Sequence, residues 1–228
     1  MAALWLLILL AFPGGPARAL DETSPALRMA RIDAIIATIK ALPLLGAIIQ
    51  DEPEAETALR LALAMDRPPY YNRSQDVLRA LRTDYAVPAL RAADDEALLA
   101  LWARTSDLVQ HLSAASPSLC RDLAFDAAPN RNGLEPRTRQ LYEAMMRASE
   151  AAYHNGKGRP ARLVAGQVDL DALALGLQMS TAEQTALADR AAAGADEFCA
   201  ASAKLLGGLQ ILPMPTRALV MRWFLTAP

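Results

Sequence analysis

The sequence predicts an all-α fold, a single irregular bundle of about seven to nine helices. Apolar residues recur at helical spacing along most of the chain, and no segment shows the alternation of a half-buried strand. Alanine, the best helix former, is abundant, and prolines follow cap residues where several helices begin. The connections are short and no shift in composition divides the chain, so we expect residues 20–228 to form one domain.

The first nineteen residues have the pattern of a secretory signal peptide. Ala2–Phe12 is an apolar run of roughly half the length that a membrane-spanning helix needs. The helix breakers Pro13 to Pro16 and the small-x-small site Ala17-Arg18-Ala19 follow it. No Lys or Arg precedes the apolar run, so a buried N-terminal helix is the alternative. We expect cleavage after Ala19 and export to the periplasm, with full secretion as the alternative.

N-cap residues mark the helix starts, several of them with proline at the first helical position. Pro43 ends or kinks the first helix, which leaves Leu44–Ile49 as an apolar stretch that we expect to be buried. Asp94 is the predicted cap of a long helix, and Pro88 lies just past or within the helix before it. The predicted helices begin at or near Ser24-Pro25, Glu52-Pro53, Tyr71, Asp94, Ser116-Pro117, Glu135-Pro136, Asp169, Ser180 and Thr216.

Two further patterns concern the C-terminal half. Ser180-Thr181-Ala182-Glu183 is a capping box, which opens a predicted long helix that Gly207-Gly208 should end. Asn155–Pro160 contains two glycines and a proline, so it is the candidate flexible connector within the domain. A loop is predicted over 126–134 for the same reason.

Two cysteines, Cys120 and Cys199, are present. In an oxidising compartment an isolated even pair predicts a disulfide, and two buried free thiols are the alternative. The bond would close a loop of roughly 80 residues, worth up to about 4–5 kcal/mol in the chain-entropy model. Neither cysteine lies in a Cys-x-x-Cys motif, so the pattern does not favour a catalytic thiol.

The net charge and the sequence motifs disfavour several classes of function. The formal net charge of −2 leaves no basic footprint for nucleic acid, and no nucleic-acid partner is expected. His111 and His154 each follow a carboxylate by four residues, an arrangement that fits a general base with its orienting acid or an ordinary surface ion pair. Two separate histidines do not make a zinc site, and the Gly-x-Ser-x-Gly pattern of a hydrolase serine is missing. We therefore predict no catalytic, cofactor-binding or metal-binding residue.

Two segments are candidate interaction surfaces. Pro68-Pro69 precedes Tyr70, Tyr71 and Arg73, residue types that are enriched at interface hot spots, although an ordinary turn between helices explains the same string. The C-terminal helix carries Trp223 and Phe224 among other apolar residues. If this helix packs on the rest of the bundle, it closes the core. If it does not, it is an amphipathic segment that could bind a protein partner or a membrane surface, and we do not expect membrane binding.

Three functions are compatible with these patterns. The first is an exported helical protein that acts through protein contacts, as an adaptor, assembly factor or inhibitor. The alternatives are a carrier of a small apolar ligand or lipid, held between helices, and an envelope hydrolase that uses carboxylates or one histidine. The first hypothesis is favoured because no catalytic set assembles in the sequence.

Overall fold

Every regular element of the described chain is helical. The computed structural model describes residues 24–66, 72–124, 133–160, 162, 170–189 and 192–225. The predicted signal peptide, Tyr70, Tyr71, the predicted cap Asp169 and nearly all of the loop at 126–134 therefore lie outside the described residues. Within the described ranges the all-α prediction is confirmed.

Twelve α-helices and one π-helical turn make up these ranges. They are α1 (Pro25–Lys40), α2 (Pro43–Asp51), α3 (Pro53–Met65), α4 (Asn72–Leu81), the π turn (Arg82–Ala86), α5 (Val87–Ala92), α6 (Asp95–Ala115), α7 (Pro117–Ala124), α8 (Pro136–Gly156), α9 (Leu170–Gly176), α10 (Thr181–Ala188), α11 (Ala195–Leu209) and α12 (Met214–Phe224). The structure has more helices than the seven to nine predicted, because segments that were predicted as single helices are divided by short breaks or by the π turn.

Pro43 separates α1 from α2 and turns the chain by 108°. The proline ring cannot continue the hydrogen-bonding of α1, and it occupies the first position of α2 instead. The predicted burial of the stretch Leu44–Ile49 is confirmed, apart from the partly buried Gly46. Along the described chain no single helix is long and apolar enough to cross a membrane, and only the sharply bent pair α1 and α2 passes that test by length and composition.

The π turn carries the chain from α4 into α5 without a break. In a regular helix the ring of Pro88 would clash with the carbonyl of Asp84, four residues earlier. The wider turn, in which the Val87 N–H donates to the Arg82 carbonyl, accommodates the proline. Pro88 therefore lies within the continued helix, one of the two positions that the sequence allowed.

The centre of the bundle is α6, which packs on α8 along one side and on α11 along another. Trp102 of α6 is almost fully buried and donates from Nε1 to the Leu206 carbonyl at 3.4 Å. Its ring stacks on Phe224 of α12, with centroids 6.1 Å apart. The predicted cap Asp94 accepts the Ala97 N–H at 2.9 Å and is confirmed.

The C-terminal half departs from the prediction at two points. In place of the long helix predicted from Ser180 to Leu206, α10 ends at Ala188 and α11 begins at Ala195, so the capping box opens only α10. Asp189, just after α10, accepts from the Ala192 N–H. The glycines Gly207 and Gly208 do not end α11 but lie inside it. A Cβ atom would lie 2.9 Å from Gln110 Nε2 at the first glycine and 2.7 Å from a Leu177 methyl at the second, so close packing accounts for both.

Cys120 of α7 and Cys199 of α11 form the predicted disulfide, with Cα atoms 6.1 Å apart. Both residues are buried. The predicted connector begins inside α8, because Asn155 and Gly156 are still helical. The Asn155 side chain accepts from the Asp94 backbone and donates to the Asp94 carboxylate, which joins the end of α8 to the start of α6.

Candidate interaction surface

Helices α1 and α3 run antiparallel, and two ion pairs fix their register. Lys40 Nζ lies 2.9 Å from Glu56 Oε2, and Arg60 Nη1 lies 2.6 Å from Asp33 Oδ1. Arg60 also binds Glu56 through Nε. The hydrogen bonds from Lys40 and then Arg60 hold the pKa of Glu56 below its usual value. This register brings the beginning of α1 and the end of α3 to the same end of the molecule.

Four large apolar side chains of these two helices are exposed, and we call them the α1/α3 surface. Leu61 and Met65, four positions apart, share one flank of α3, whereas Leu27 and Met29, two positions apart, point to different sides of α1. Leu27 and Met29 of α1 are 56% and 52% exposed, and Leu61 and Met65 of α3 are 62% and 50% exposed. All six residues of 25–30 are exposed, so α1 begins beyond the core. By the register of the two ion pairs, Met29 is level with Met65.

The sequence carries a signal for the exposure of Met29. Met29 continues the stripe of Ile32, Ile36 and Ile39 at helical spacing, and those isoleucines are buried. Periodicity shows that these residues share a face but not where the neighbouring helix ends. Because α3 ends at Met65, which is level with Met29, the part of α1 before Met29 extends past α3.

Asp66 holds the start of α4 against the end of α3. Its buried carboxylate accepts the backbone N–H groups of Arg73 at 3.0 Å and Ser74 at 2.9 Å, and the Ser74 hydroxyl at 2.7 Å. The aspartate thus caps α4 from outside that helix. It also fixes both ends of the segment 67–71, which contains two of the predicted interface residues.

The described residues of the predicted interface lie in different parts of the structure. Arg73 is exposed at the same end as the α1/α3 surface. Phe224 is only 5% exposed and packs on Trp102, so it does not belong to a surface and this part of the candidate set is corrected. Trp223 is half-buried, with its ring edge-on to Phe224 at 5.2 Å. The C-terminal helix is docked because its aromatic side chains complete the core beside α6.

The histidines do not form the acid–base pairs that their spacing allows. His111 Nε2 lies 3.0 Å from Thr138 Oγ1 and 3.6 Å from a Glu135 oxygen, whereas Asp107 pairs with Arg104. Glu135 is the cap of α8, and the backbone N–H groups that it accepts hold its pKa below the usual value. His154 lies against the Tyr153 ring, with centroids 5.4 Å apart.

A second polar cluster joins the ends of α2 and α8. Lys157 Nζ lies 2.8 Å from Asp51 Oδ2, and the side chain of Tyr153, on the same helix end as Lys157, is buried. The bond from Lys157, with that from Tyr153, holds the pKa of Asp51 below its usual value against the partial burial that opposes it. Burial, followed by the charge of Asp51, raises the pKa of Tyr153. The cluster is a link between helices rather than an exposed reactive group.

A cleft of about 640 Å³ lies at the bend between α1 and α2, beside α8. Its volume is that of a small-molecule site, and its lining is mixed, with four charged or amide side chains and five small or apolar residues. Lys40 is already paired with Glu56, and Arg147 lies 3.8 Å from Glu143. Among the described residues no group of three or more histidine, cysteine or acidic side chains could hold a metal ion.

Comparison of the chain with protein-family models, curated proteins and solved structures finds no match. The interpretation of the α1/α3 surface therefore rests on the residues that form it.

Proposed function

We propose that this chain is an exported helical protein that acts by binding another protein through the α1/α3 surface. The observation that carries the proposal is the exposure of Leu61 and Met65, which are 62% and 50% exposed on one flank of α3, with Leu27 and Met29 exposed on α1. Grouped exposed apolar side chains favour an interaction site, because burying them against a partner removes their contact with water.

The surface is also well suited to binding because its two helices are held rigidly. The ion pairs of Arg60 and Lys40 fix α1 against α3, and the buried Asp66 fixes the start of α4 beside them. Side chains on a fixed framework lose little conformational entropy when they bind. The unbranched methionines can adjust to the shape of a partner.

Export is proposed on two observations. The N-terminal segment has the pattern of a signal peptide, and the Cys120–Cys199 disulfide fits an oxidising compartment. The bacterial periplasm is the compartment that we propose, with the extracellular space as the alternative. An adaptor, an assembly factor and an inhibitor would each use such a surface.

Photo-crosslinking in the source organism tests the proposed function. A benzophenone amino acid at position 61 or 65 should give a covalent adduct of defined mass with one protein. The same amino acid at Ile211, which is 79% exposed on the turn between α11 and α12, is the matched control and should give none.

A second variant tests whether the adduct depends on the surface. Leu61→Asp should reduce the adduct formed from position 65 by about tenfold, because a charge would have to be desolvated in the interface. Adducts of equal yield from positions 65 and 211, or no adduct from either surface position, would remove the proposal.

A further inference from the structure

We infer that the cleft between α2 and α8 binds an apolar α-amino acid, a small molecule that carries one carboxylate and one ammonium group. The inference goes beyond the proposed function, because it assigns a second site that takes a different kind of ligand. The cleft lies beside Lys40, at the opposite end of α1 from Leu27 and Met29.

One wall of the cleft is a single face of α2. Its residues recur at helical spacing, and they are Pro43, Gly46, Ala47 and Gln50. The end of α1 and two residues of α8, Arg147 and Glu150, complete the lining. These groups surround one volume of about 640 Å³, within the range of roughly 300–1,000 Å³ that small-molecule sites occupy. One small ligand can therefore reach all of them.

The floor of the cleft is small and apolar. Leu42 and Ala47 are buried beneath it, and Pro43 at the bend is partly exposed. A Cβ atom at Gly46 would overlap the Lys40 carbonyl, so α2 begins directly against the end of α1 and closes the floor. Covering this floor with an apolar side chain would remove both surfaces from water, which favours binding.

The charged groups of the lining keep binding capacity for a ligand. The half-buried Glu150 carboxylate makes no ion pair or hydrogen bond among the described residues. Arg147 lies 3.8 Å from Glu143, farther than the roughly 2.7–2.9 Å of a charge-assisted hydrogen bond. Lys40 donates to Glu56, and an ammonium group has three N–H donors in all.

The spacing of the two charges on α8 matches an α-amino acid. Arg147 and Glu150 are three positions apart, which makes them neighbours on the helix surface with Cβ atoms about 5–6 Å apart. An α-amino acid carries its ammonium and carboxylate on the same carbon. Its carboxylate would accept from the Arg147 guanidinium, and its ammonium would donate to Glu150.

Ligands with only one of these charges fit the cleft less well. A simple anion would lie beside the Glu150 carboxylate, and a simple cation would lie beside Arg147 and Lys40. Like charges brought together oppose binding, so the lining selects for the zwitterion.

Three leucine derivatives test the inference on the full chain with its disulfide intact. L-leucine carries both charges, N-acetyl-L-leucine lacks the ammonium and L-leucinamide lacks the carboxylate. Nuclear magnetic resonance titration follows the Gly46 backbone amide and the Gln50 side-chain amide. L-leucine should shift both signals and bind at least about tenfold more tightly than either derivative, because each derivative loses one charge-assisted contact.

Variants show whether binding depends on the cleft. Arg147→Gln and Glu150→Gln should each weaken L-leucine binding by about tenfold. Glu143→Gln is the matched control, because Glu143 lies on the same helix but does not line the cleft, and it should bind L-leucine at least as tightly as the wild type.

Three outcomes would overturn the inference. They are no shift at up to about 50 mM L-leucine, equal affinity for the three compounds, and unchanged affinity in Glu150→Gln. None of them bears on the crosslinking from positions 61 and 65, so this inference and the proposed function can fail separately.

Discussion

Gly156 shows how one missing side chain sets the approach of two helices. It lies in the last turn of α8, where α8 passes α5. A Cβ atom built there would overlap the Ala89 carbonyl and lie 2.6 Å from the Ala93 nitrogen. Backbone atoms cannot rotate away as a side chain can, so the two helices would have to separate.

We predict that Gly156→Ala lowers the free energy of unfolding by about 1–3 kcal/mol, the usual cost of overpacking. Urea titration followed by circular dichroism measures the effect. Gly176→Ala is the control, because nothing lies within 4 Å of a Cβ atom at that position. Its free energy of unfolding should stay within about 0.5 kcal/mol of that of the wild type. Equal effects of the two substitutions would contradict the close approach.

Asp51 makes the link between α2 and α8 dependent on pH. Its pKa is lowered in the folded protein by the bonds from Lys157 and Tyr153, while the unfolded chain has the ordinary value. A group with a depressed pKa stabilises the fold above the unfolded pKa, and this contribution is lost as the pH falls toward the folded pKa.

We predict that Asp51→Asn costs about 1 kcal/mol at pH 7, because the carboxylate is only partly exposed and is paired with Lys157. The difference in unfolding free energy between the wild type and the variant should shrink below about pH 4. Urea titrations at pH 7, 5 and 3.5 measure it. A difference that stays constant across this range would show that the carboxylate charge does not matter.

Among the helices, α4 is capped by Asp66, which precedes its first residue by six positions. Asp66 satisfies the first backbone N–H groups of α4 across the segment 67–71. This cap lies outside the local pattern by which N-caps are recognised in a sequence, since those caps precede the helix directly.

We predict that Asp66→Ala lowers stability by about 1–3 kcal/mol, because it removes the buried carboxylate that accepts the Arg73 and Ser74 backbone N–H groups and the Ser74 hydroxyl. Hydrogen exchange at the Arg73 and Ser74 amides should accelerate more than exchange in α8. Asp76→Ala removes only an exposed ion pair and is the matched control. Unchanged exchange at Ser74 would indicate that the cap is dispensable.

Local sequence patterns predicted which segments are helical better than they predicted where each helix ends. The capping box at Ser180, the cap Asp94 and the break at Pro43 act within a few residues, so the sequence alone defines them. The function of Gly207 and Gly208 depends on Gln110 and Leu177, which are distant in the chain. A glycine pair has the same sequence pattern at a helix end and at a close contact, so only the tertiary structure distinguishes these two uses.

At the scale of the whole molecule, the candidate surface was predicted only in part. The sequence pointed to Arg73 through its unusual neighbours, and the structure places it beside the α1/α3 surface. Leu61 and Met65 look like core residues in the sequence, because helical spacing does not show which flank of α3 is left uncovered. For Phe224 the sequence favoured a docked C-terminal helix, with an exposed helix as the alternative, and in the structure Phe224 packs against Trp102.

The disulfide stabilises the C-terminal half against global unfolding. We predict that replacing both Cys120 and Cys199 by alanine lowers the free energy of unfolding by up to about 4–5 kcal/mol, since the bond joins residues 79 positions apart. Thermal denaturation monitored by circular dichroism measures the loss. Reduction of the wild type should lower its melting temperature similarly, which controls for the altered packing at the two buried sites. A variant as stable as the oxidised wild type would contradict this prediction.

The position of the disulfide leaves the N-terminal helices outside its covalent loop. All residues of the α1/α3 surface precede Cys120 in the chain. The covalent bond encloses α8, α9 and α10 but none of the helices that carry the surface. Oxidation of the two cysteines therefore places no covalent constraint on how α1 packs against α3.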